Sequence, residues 1–243
     1  AYGRSQMNHE FLSLEKAAEH IQIDANELKH VAQRGEIDAT VRGGEWYFEH
    51  SALDEWAQRN LLSSNAKRIA VQNRAFGEKR RRERKDALSI KDIFRVDAID
   101  LAMTAKAKAG IIRDMTDLAD RTGLVYDPST LFKELTAREE VASTAVGAGA
   151  AFLHPRYHDP YFFEESFIAY ARSERPVFFG APDGAPTRHF FLICSTDHDQ
   201  HLHILARLAV LAHGTNLVER LEEAAEPGDV IKILGECEEE YLK

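Results

Sequence analysis

Two glycines followed closely by a proline constrain how one segment of this 243-residue chain can fold. Gly147 and Gly149 lie among small residues, and because neither has a Cβ atom the backbone there can turn sharply and approach a bulky anion. The apolar residues 150–153 then predict a short buried strand. Pro155 prevents the chain from continuing in a regular ladder or helix. We therefore expect His154 at the end of a strand, facing outward.

Residues 138–154 read REEVASTAVGAGAAFLH. This segment resembles the phosphoacceptor region of the type-2 enzyme IIA domains of the phosphoenolpyruvate-dependent phosphotransferase system, whose pattern is roughly R-E-x-x-G-S-T-G-I-G-N-G-I-A-I-P-H. The positions that agree are Arg138, Glu139, Ser143, Thr144, Gly147, Gly149, Ala151 and His154. The positions that depart are Ala142, Ala145, Ala148 and Leu153, where glycine, glycine, asparagine and proline are usual. The resemblance extends over residues 88–243 and implies an α/β domain, a mixed sheet flanked by helices.

The resemblance also implies roles for particular residues. His154 would be the phosphorylated nucleophile, and His201, in the sequence HLHIL, would correspond to a second histidine that donates to the phosphoryl group. Ser143, Thr144 and nearby backbone N–H groups would be further donors, and Arg138 would neutralise charge or help to dock the phosphate donor. The structural alternative is that Arg138 pairs with Glu139 or Asp114 and that Ser143 only caps a turn.

The residues around His201 support an anion site independently of the family pattern. Asp197 is a helix-capping residue with Gln200 at the capping-box position, so His198 and His201 should lie in the first turn of a helix. A helix N-terminus attracts anions. We therefore expect the helix end and a donor on His201 to converge on one phosphate.

A metal site is the rival explanation for the histidines in this part of the chain. The candidate ligands are His154, His158, His198, Asp199, His201 and His203. Imidazole and carboxylate groups suit zinc or iron. However, Pro155 excludes the helix that an i, i+4 pair at 154 and 158 needs, and His201 and His203 lie on different helical faces. We therefore expect no metal and no cofactor.

Residues 8–60 predict a separate small module. Ser13, Asp24 with Glu27, and Ser51 with Asp54 indicate three helix starts, and the turn at residues 42–44 predicts a hairpin between the second and third helices. This order resembles the excisionase and MerR-like winged helix-turn-helix domains, which usually bind DNA. The resemblance implies DNA contacts by Asn26, Lys29, His30 and Gln33 of the second helix, with Arg42 and Tyr47 on the wing.

Charge is distributed unevenly along the chain. Residues 1–60 carry six Lys and Arg against eleven Asp and Glu, residues 61–87 nine against three, and residues 88–243 sixteen against twenty-six. A DNA-binding module is usually positive, so the net charge of −5 on the first segment equally favours a module that binds protein or dimerises. The basic segment 61–87 is either a solvated linker or an arm that contacts phosphates.

The C-terminal part carries a helix and strand pattern that fits an α/β domain. A short helix near Leu88 should lead to a strand at 98–101, and further strands are predicted at 167–171 and 190–194. Helices are predicted over residues 111–119, from 128 to 138, after Asp197, and from Pro227 to the acidic end.

Cysteine content and hydropathy indicate the cellular compartment. Two cysteines without metal or disulfide spacing suit a reducing compartment, and no run reaches the roughly 20 apolar residues that span a bilayer. We expect a cytoplasmic regulator of the nitrogen-regulatory or fructose and mannitol type, with a HPr-type phosphocarrier or its nitrogen-branch counterpart (NPr) as partner. DNA, a regulated protein and a second copy of the chain are further expected partners. The alternatives are a scaffold without phosphotransfer, or a soluble IIA component serving a sugar transporter.

Overall fold

The computed structural model describes residues 11–21, 23–62, 89–155 and 162–242. The strands are β1 (Phe11–Ser13), β2 (Ala39–Arg42), β3 (Glu45–Glu49), β4 (Phe94–Met103), β5 (Ala145–Gly147), β6 (Ala150–Leu153), β7 (Phe167–Val177) and β8 (Thr187–Cys194). The helices are α1 (Leu14–His20), α2 (Ala25–Gln33), α3 (His50–Leu62), α4 (Lys108–Asp120), α5 (Pro128–Val141), α6 (His198–Gly214), α7 (Leu217–Glu222) and α8 (Pro227–Leu242), with a 3₁₀ turn at Ile90–Ile93. None of these helices combines the length and apolar character needed to cross a lipid bilayer.

The winged module, residues 11–62, has the predicted helix, helix, hairpin, helix order. The carboxylate of Asp24 accepts hydrogen bonds from the backbone N–H groups of Asn26 and Glu27, which begins α2 as the sequence indicated. Gly43 and Gly44 both have positive φ, so the wing turns tightly between β2 and β3. The short strand β1 was not predicted, and it pairs with β3 to give the sheet order β1-β3-β2.

The C-terminal domain, residues 89–242, is built on a mixed sheet of order β4-β7-β8-β6-β5. β4 and β7 are parallel, β7 and β8 antiparallel, and β6 and β8 parallel. The predicted mixed sheet with flanking helices is therefore confirmed. Strands β4 and β7 are longer than predicted, because their ends are partly exposed and lack the continuous apolar run used to recognise a strand.

Alternate side chains of the short strand β6 enter two separate cores. Phe152 packs into the core on one face of the sheet, and Ala151 and Leu153 pack into the core on the other face. Burial on both faces explains why this strand reads as a continuous apolar run. It also fixes where the chain leaves the sheet, which is at His154.

The winged module is packed directly against the C-terminal domain. Leu53 and Trp56 of α3 belong to the same cluster of buried apolar side chains as Leu202 and Leu205 of α6. Residues 63–87, which form nearly all of the predicted basic linker, lie outside the described residues. The contact between α3 and α6 places one end of the winged module beside the start of α6.

Candidate functional site

His154 follows the last residue of β6, as predicted, but it does not face outward. Its side chain is 0% exposed. The ring packs with its centroid 5.0 Å from that of His201, and Nδ1 lies 2.9 Å from the carbonyl oxygen of Phe152. The prediction of an outward orientation was wrong because a helix end and a neighbouring arginine close over the strand end, which no local pattern reveals.

Arg138 approaches the other nitrogen of this ring. Its Nε–H donates to Nε2 of His154 over 3.1 Å, and its Nη1 donates to the carbonyl oxygen of Ala142 over 3.0 Å. The helix α5 ends at Val141, so Arg138 lies in its last turn and is 6% exposed. Because a guanidinium only donates, Nε2 of His154 must be the accepting nitrogen and Nδ1 must carry the proton.

The start of α6 brings the second histidine to the same place. The carboxylate of Asp197 accepts from the backbone N–H of Gln200 over 2.8 Å, which caps the helix as the sequence indicated. His201 therefore lies in the first turn, fully buried, with its ring tilted by 60° to that of His154. Arg138, His154 and His201, here called the His154 site, come from three different elements.

The remaining predicted donors have protein acceptors in this structure. The hydroxyl of Ser143 donates to the carbonyl oxygen of Phe179 over 2.8 Å, and that of Thr144 donates to Glu139 over 2.6 Å. Glu139, considered above as a partner for Arg138, is held on its other oxygen by Lys108 at 2.8 Å. The role of Ser143 and Thr144 as phosphoryl donors stays a prediction, and it requires these hydroxyls to turn.

The glycine segment forms a turn of three consecutive residues with positive φ. The φ angles are 82° at Gly147, 51° at Ala148 and 76° at Gly149. The carboxylate of Asp183 accepts from the backbone N–H of Ala148 over 3.2 Å and would lie only 2.8 Å from a Cβ atom at Gly147. The φ angle favours glycine at 147, and a Cβ atom there would also force the carboxylate of Asp183 to shift. Ala148, which stands where the family pattern has asparagine, occupies a region that alanine rarely adopts.

The geometry of the His154 site suits a nucleophilic imidazole. A histidine attacks through a nitrogen that carries a lone pair, with the other nitrogen held by an acceptor that fixes the tautomer. Here the carbonyl of Phe152 fixes the proton on Nδ1, and Nε2 keeps its lone pair toward Arg138. The arrangement can stabilise negative charge next to Nε2, because a guanidinium, a second imidazole and a helix N-terminus converge there.

Two of the histidines considered as metal ligands, both described by the structure, belong to different groups. His201 lies against His154, whereas His198 lies against the winged module, with Nε2 3.2 Å from Oδ1 of Asp54. His158 and the side chain of Asp199 lie outside what the structure describes. His198 and His201, both in the first turn of α6, thus contact two different groups of residues.

The second group, here called the interface cluster, comprises His20, His50, Asp54 and His198. Oδ1 of Asp54 is 2.6 Å from Nε2 of His20, and Oδ2 is 3.3 Å from Nδ1 of His50. Burial raises the pKa of Asp54, but the hydrogen bonds from His20 and His50 and the nearby His198 outweigh it and hold that pKa well below its usual range. The carboxylate is therefore ionised at neutral pH.

The residues predicted to contact DNA are exposed or half-buried. Asn26, His30 and Gln33 are exposed along α2, and Lys29 is half-buried. On the wing, Arg42 is exposed and its guanidinium carbon lies 5.3 Å from the centre of the Phe11 ring. Tyr47, half-buried, donates to Glu45. The DNA-contact assignment for these residues stays a prediction.

Sequence reasoning missed several residues of both groups. Lys108 and Asp183 support the site from 31 and 35 residues away, at Glu139 and Ala148 respectively. A signal existed for Asp183, since it lies in the turn-rich segment FGAPDGAP. There was no such signal for the interface cluster, because its members are scattered from His20 to His198 and meet only through the packing of α3 on α6.

Comparisons with known proteins identify a family for each part of the chain. The family model described as "Phosphoenolpyruvate-dependent sugar phosphotransferase system, EIIA 2" matches residues 92–237, and a model described as "Helix-turn-helix domain" matches residues 11–61. The "Nitrogen regulatory protein" of Bradyrhizobium diazoefficiens is 27% identical over 150 residues, which cover 60% of this chain and 95% of that protein.

Two further relatives extend the comparison. The "PTS system fructose-specific EIIABC component" of Bacillus subtilis is 26% identical over 151 residues, 61% of this chain but only 23% of that protein. The crystal structure of the nitrogen regulatory protein IIA-Ntr from Neisseria meningitidis is similar with a TM-score of 0.54 at 28% identity, covering 60% of this chain and 98% of that one. With most of its C-terminal domain matched in sequence and in fold, and with a helix-turn-helix domain ahead of it, this chain belongs to the EIIA 2 family of the phosphoenolpyruvate-dependent sugar phosphotransferase system.

Proposed function

We propose that Nε2 of His154 accepts a phosphoryl group from a HPr-type or NPr-type phosphocarrier. The observation that carries the proposal is the pairing of a lone pair at Nε2, fixed by the Phe152 carbonyl, with the Nε–H of Arg138 at 3.1 Å. The protein acts in this scheme as a carrier with a phosphohistidine intermediate rather than as a free-standing enzyme. The relay would operate in the cytoplasm.

The transfer is a displacement at phosphorus. The lone pair on Nε2 forms the new N–P bond as the N–P bond of the carrier's phosphohistidine breaks, and the bonding electrons return to the carrier's imidazole. The Nε–H of Arg138, which donates to Nε2 before the reaction, then turns to a phosphoryl oxygen. His201 donates to another oxygen, and the Nδ1–H of His154 keeps its hydrogen bond to the Phe152 carbonyl oxygen. These donors stabilise the charge that transfer brings to the site.

Burial of His154 sets a condition on this reaction. A side chain that is 0% exposed cannot meet a partner protein until the rim of the site moves. Arg138 must also release Nε2, because one lone pair cannot accept a hydrogen bond and attack phosphorus together. We infer that docking of the phosphocarrier opens the site and draws Arg138 toward the incoming phosphate.

The winged module would read the phosphorylation state. His201 lies in the first turn of α6, and α3 of the winged module packs on the same helix, with Leu53 and Leu205 in one core. Phosphorylation adds about −1.5 to −2 charges beside that turn. We propose that this change biases a DNA or protein contact made by the exposed surface of α2 and the wing.

Intact mass measurement tests the relay directly. After incubation with phosphoenolpyruvate, enzyme I and HPr at mildly alkaline pH, wild type should gain about 80 Da, the mass of one phosphoryl group. His154→Ala should gain nothing, whereas His30→Ala, a control on the exposed face of α2, should gain the same mass as wild type. A gain of equal size in His154→Ala would overturn the assignment.

The second candidate function is a scaffold that does not accept phosphate. The closed site favours it, since His154 is fully buried and its Nε2 is held by Arg138. Wild type would then gain no mass from HPr or from its nitrogen-branch counterpart. A third assignment, a IIA component that passes phosphate to a sugar transporter, would show the mass gain and then lose it on addition of a cognate IIB protein.

Contact with DNA is tested by a salt titration of the full chain. If the exposed residues of α2 and the basic segment 61–87 contact phosphates, binding to duplex DNA should weaken steeply with salt, with a slope of about −0.9 per phosphate contacted. Substituting Lys29 and Arg42 by Gln should flatten that slope. A salt-independent association would favour a protein partner.

A further inference from the structure

The interface cluster joins three elements from two parts of the chain. His20 ends α1, Asp54 lies one turn into α3, and His198 begins α6. Within the described residues, the ligand atoms of His20, Asp54 and His198 all lie within 4.8 Å of one another. Nothing in the phosphoryl-transfer chemistry of His154 uses this group, so its arrangement calls for a separate explanation.

The distances in the cluster are close to those of a tetrahedral metal centre. With metal–ligand bonds of about 2.0 to 2.2 Å, neighbouring ligand atoms stand roughly 3.3 to 3.5 Å apart. Nε2 of His198 is 3.2 Å from Oδ1 of Asp54, and Nε2 of His20 is 2.6 Å from the same oxygen. Of these two distances, the second would have to lengthen, by about 0.7 to 0.9 Å, to match that spacing.

The rings of His20 and His198 meet at one carboxylate oxygen, and one ring has to turn for a single ion to lie in the plane of both imidazoles. The rings of His20 and His198 are stacked, with centroids 4.1 Å apart and planes within 8° of parallel, and both present Nε2 to one carboxylate oxygen. Two imidazolium rings in such a stack would repel each other, and one carboxylate balances only one of them. A single divalent cation with both imidazoles neutral removes the repulsion and uses all three ligands.

His50 completes the group as a positioning residue. Its Nδ1 lies 3.3 Å from Oδ2, the oxygen of Asp54 that does not face the other two histidines, and its ring centroid is 4.1 Å from that of His20. A hydrogen bond to the second carboxylate oxygen orients the first one, as outer-shell groups do in metal sites. The side chains of His20, Asp54 and His198 are 13 to 19% exposed, so an ion can enter from solvent and still be mostly shielded.

We propose that His20, Asp54 and His198 bind one divalent transition-metal ion of the zinc class, and that this ion fastens the winged module to α6. Two imidazole nitrogens and a carboxylate oxygen are a ligand set that suits Zn²⁺, with a water in the fourth position. The ligands belong to three elements, so the ion crosslinks the two parts of the chain next to the helix turn that carries His201.

Zinc titration of the full, untagged chain after removal of metal by chelator tests this inference. Wild type should bind one equivalent of Zn²⁺, and Co²⁺ at the same site should give the visible absorption bands of a tetrahedral centre. Asp54→Asn and His198→Gln should each weaken binding by about 100-fold or more, because each removes or neutralises a ligand. His213→Gln, at the far end of α6, is the matched control and should bind as wild type does.

Melting curves guard against a trivial loss of binding through unfolding. Wild type should melt roughly 5 to 10 °C higher at a zinc concentration 100 times the Kd, and the two ligand variants should melt cooperatively but without that increase. Because the two substitutions lie on opposite sides of the interface, one folded variant is enough for the test. Absence of stoichiometric zinc binding in wild type, or equal binding in a folded Asp54→Asn variant, would overturn the proposal. Neither result depends on phosphoryl transfer to His154.

Discussion

The His154 site and the interface cluster lie beside the same turn of α6 and differ in the charge of the group that the histidines face. His201 and His198 are three residues apart, yet the first lies against His154, which Arg138 contacts, and the second lies against Asp54. A guanidinium donates and cannot accept, so the histidine it contacts must offer a lone pair. A carboxylate accepts, so the histidines around it bring either a proton or a shared cation.

This difference assigns opposite chemistry to neighbouring residues of one type. Positive surroundings make the His154 site a receptor for an anion, and the proposed ligand there is a phosphoryl group. Negative charge at Asp54 makes the interface cluster a receptor for a cation. The partner of an imidazole, rather than its place on a helix, therefore decides what it can do.

Replacing Arg138 by lysine should have the largest effect, because it changes the donor that distinguishes the His154 site from the interface cluster. Lysine keeps the positive charge but lacks the Nε–H that donates to His154 and the planar fork that also reaches the carbonyl of Ala142. Loss of one preorganised donor should slow phosphoryl uptake about 10²- to 10³-fold. The rate is measured by intact mass spectrometry of samples quenched at successive times, with phosphorylated HPr in excess.

Arg113→Lys is the control for that experiment. Arg113 lies on α4 with its guanidinium carbon 5.2 Å from the centre of the Phe132 ring, away from His154. Its substitution should leave the rate of uptake near that of wild type. An unchanged rate in Arg138→Lys would mean that charge alone suffices at this position.

His201→Gln should separate the two regions. It replaces the imidazole donor by a neutral amide, and losing the charge assistance of a hydrogen bond worth about 1.5 to 3 kcal/mol should lower the rate by up to roughly 10- to 100-fold. Zinc binding should be retained, because His201 is not in the interface cluster. Loss of both properties in a folded His201→Gln protein would show that the two regions act as one.

A third buried histidine offers a comparison by pH. His189 in β8 accepts from the hydroxyl of Tyr170 at Nδ1 over 2.8 Å and lies 3.1 Å from Glu222 at Nε2. Burial lowers its pKa, and this effect exceeds the raising effect of Glu222. Near pH 6.5 the imidazole of His189 therefore binds a proton in the unfolded chain but stays neutral in the folded protein.

The free energy of unfolding should consequently fall as pH drops below about 6.5, with a contribution from this histidine of at most about 1.4 kcal/mol per pH unit. The measurement is urea denaturation between pH 8 and pH 5. His189→Gln keeps a donor for Glu222 without a titrating ring, so the difference in slope between it and wild type isolates His189. Parallel slopes would contradict the lowered pKa.

The sequence alone predicted the architecture well, because the local signals were strong. The cap at Asp24, the Gly43-Gly44 turn and the cap at Asp197 each determine the conformation of a few neighbouring residues, and all three are present. The mixed sheet followed from the family resemblance rather than from periodicity. Strand lengths were underestimated, since partly exposed ends carry no apolar signal.

The site was only partly predictable for a different reason. His154 and His201 were identified from the family pattern, yet the burial of His154 and the bond from Arg138 depend on how α5 and α6 close over β6. The interface cluster depends on the packing of the winged module against α6. Contacts between residues 20 and 198 leave no trace in local spacing, so only the folded structure reveals them.

The smallest expected effect concerns the turn that leads into β6. Ala148, with φ 51°, is the non-glycine residue in a positive-φ conformation among those described, and this conformation costs an alanine about 1 to 2 kcal/mol. Ala148→Gly should therefore raise the free energy of unfolding by up to about 1 kcal/mol, the gain being reduced by the greater freedom of glycine in the unfolded chain. Gly149→Ala, at φ 76°, is the mirror experiment and should lower it by a similar amount, since its new Cβ would meet nothing closer than Val218 at 3.7 Å. Urea denaturation of both variants measures the two changes in the free energy of unfolding.

Equal and opposite changes would show that backbone strain, rather than side-chain contact, distinguishes Ala148 from the asparagine of the family pattern. Destabilisation by Ala148→Gly would instead show that the methyl group of Ala148 supports the rim of the His154 site.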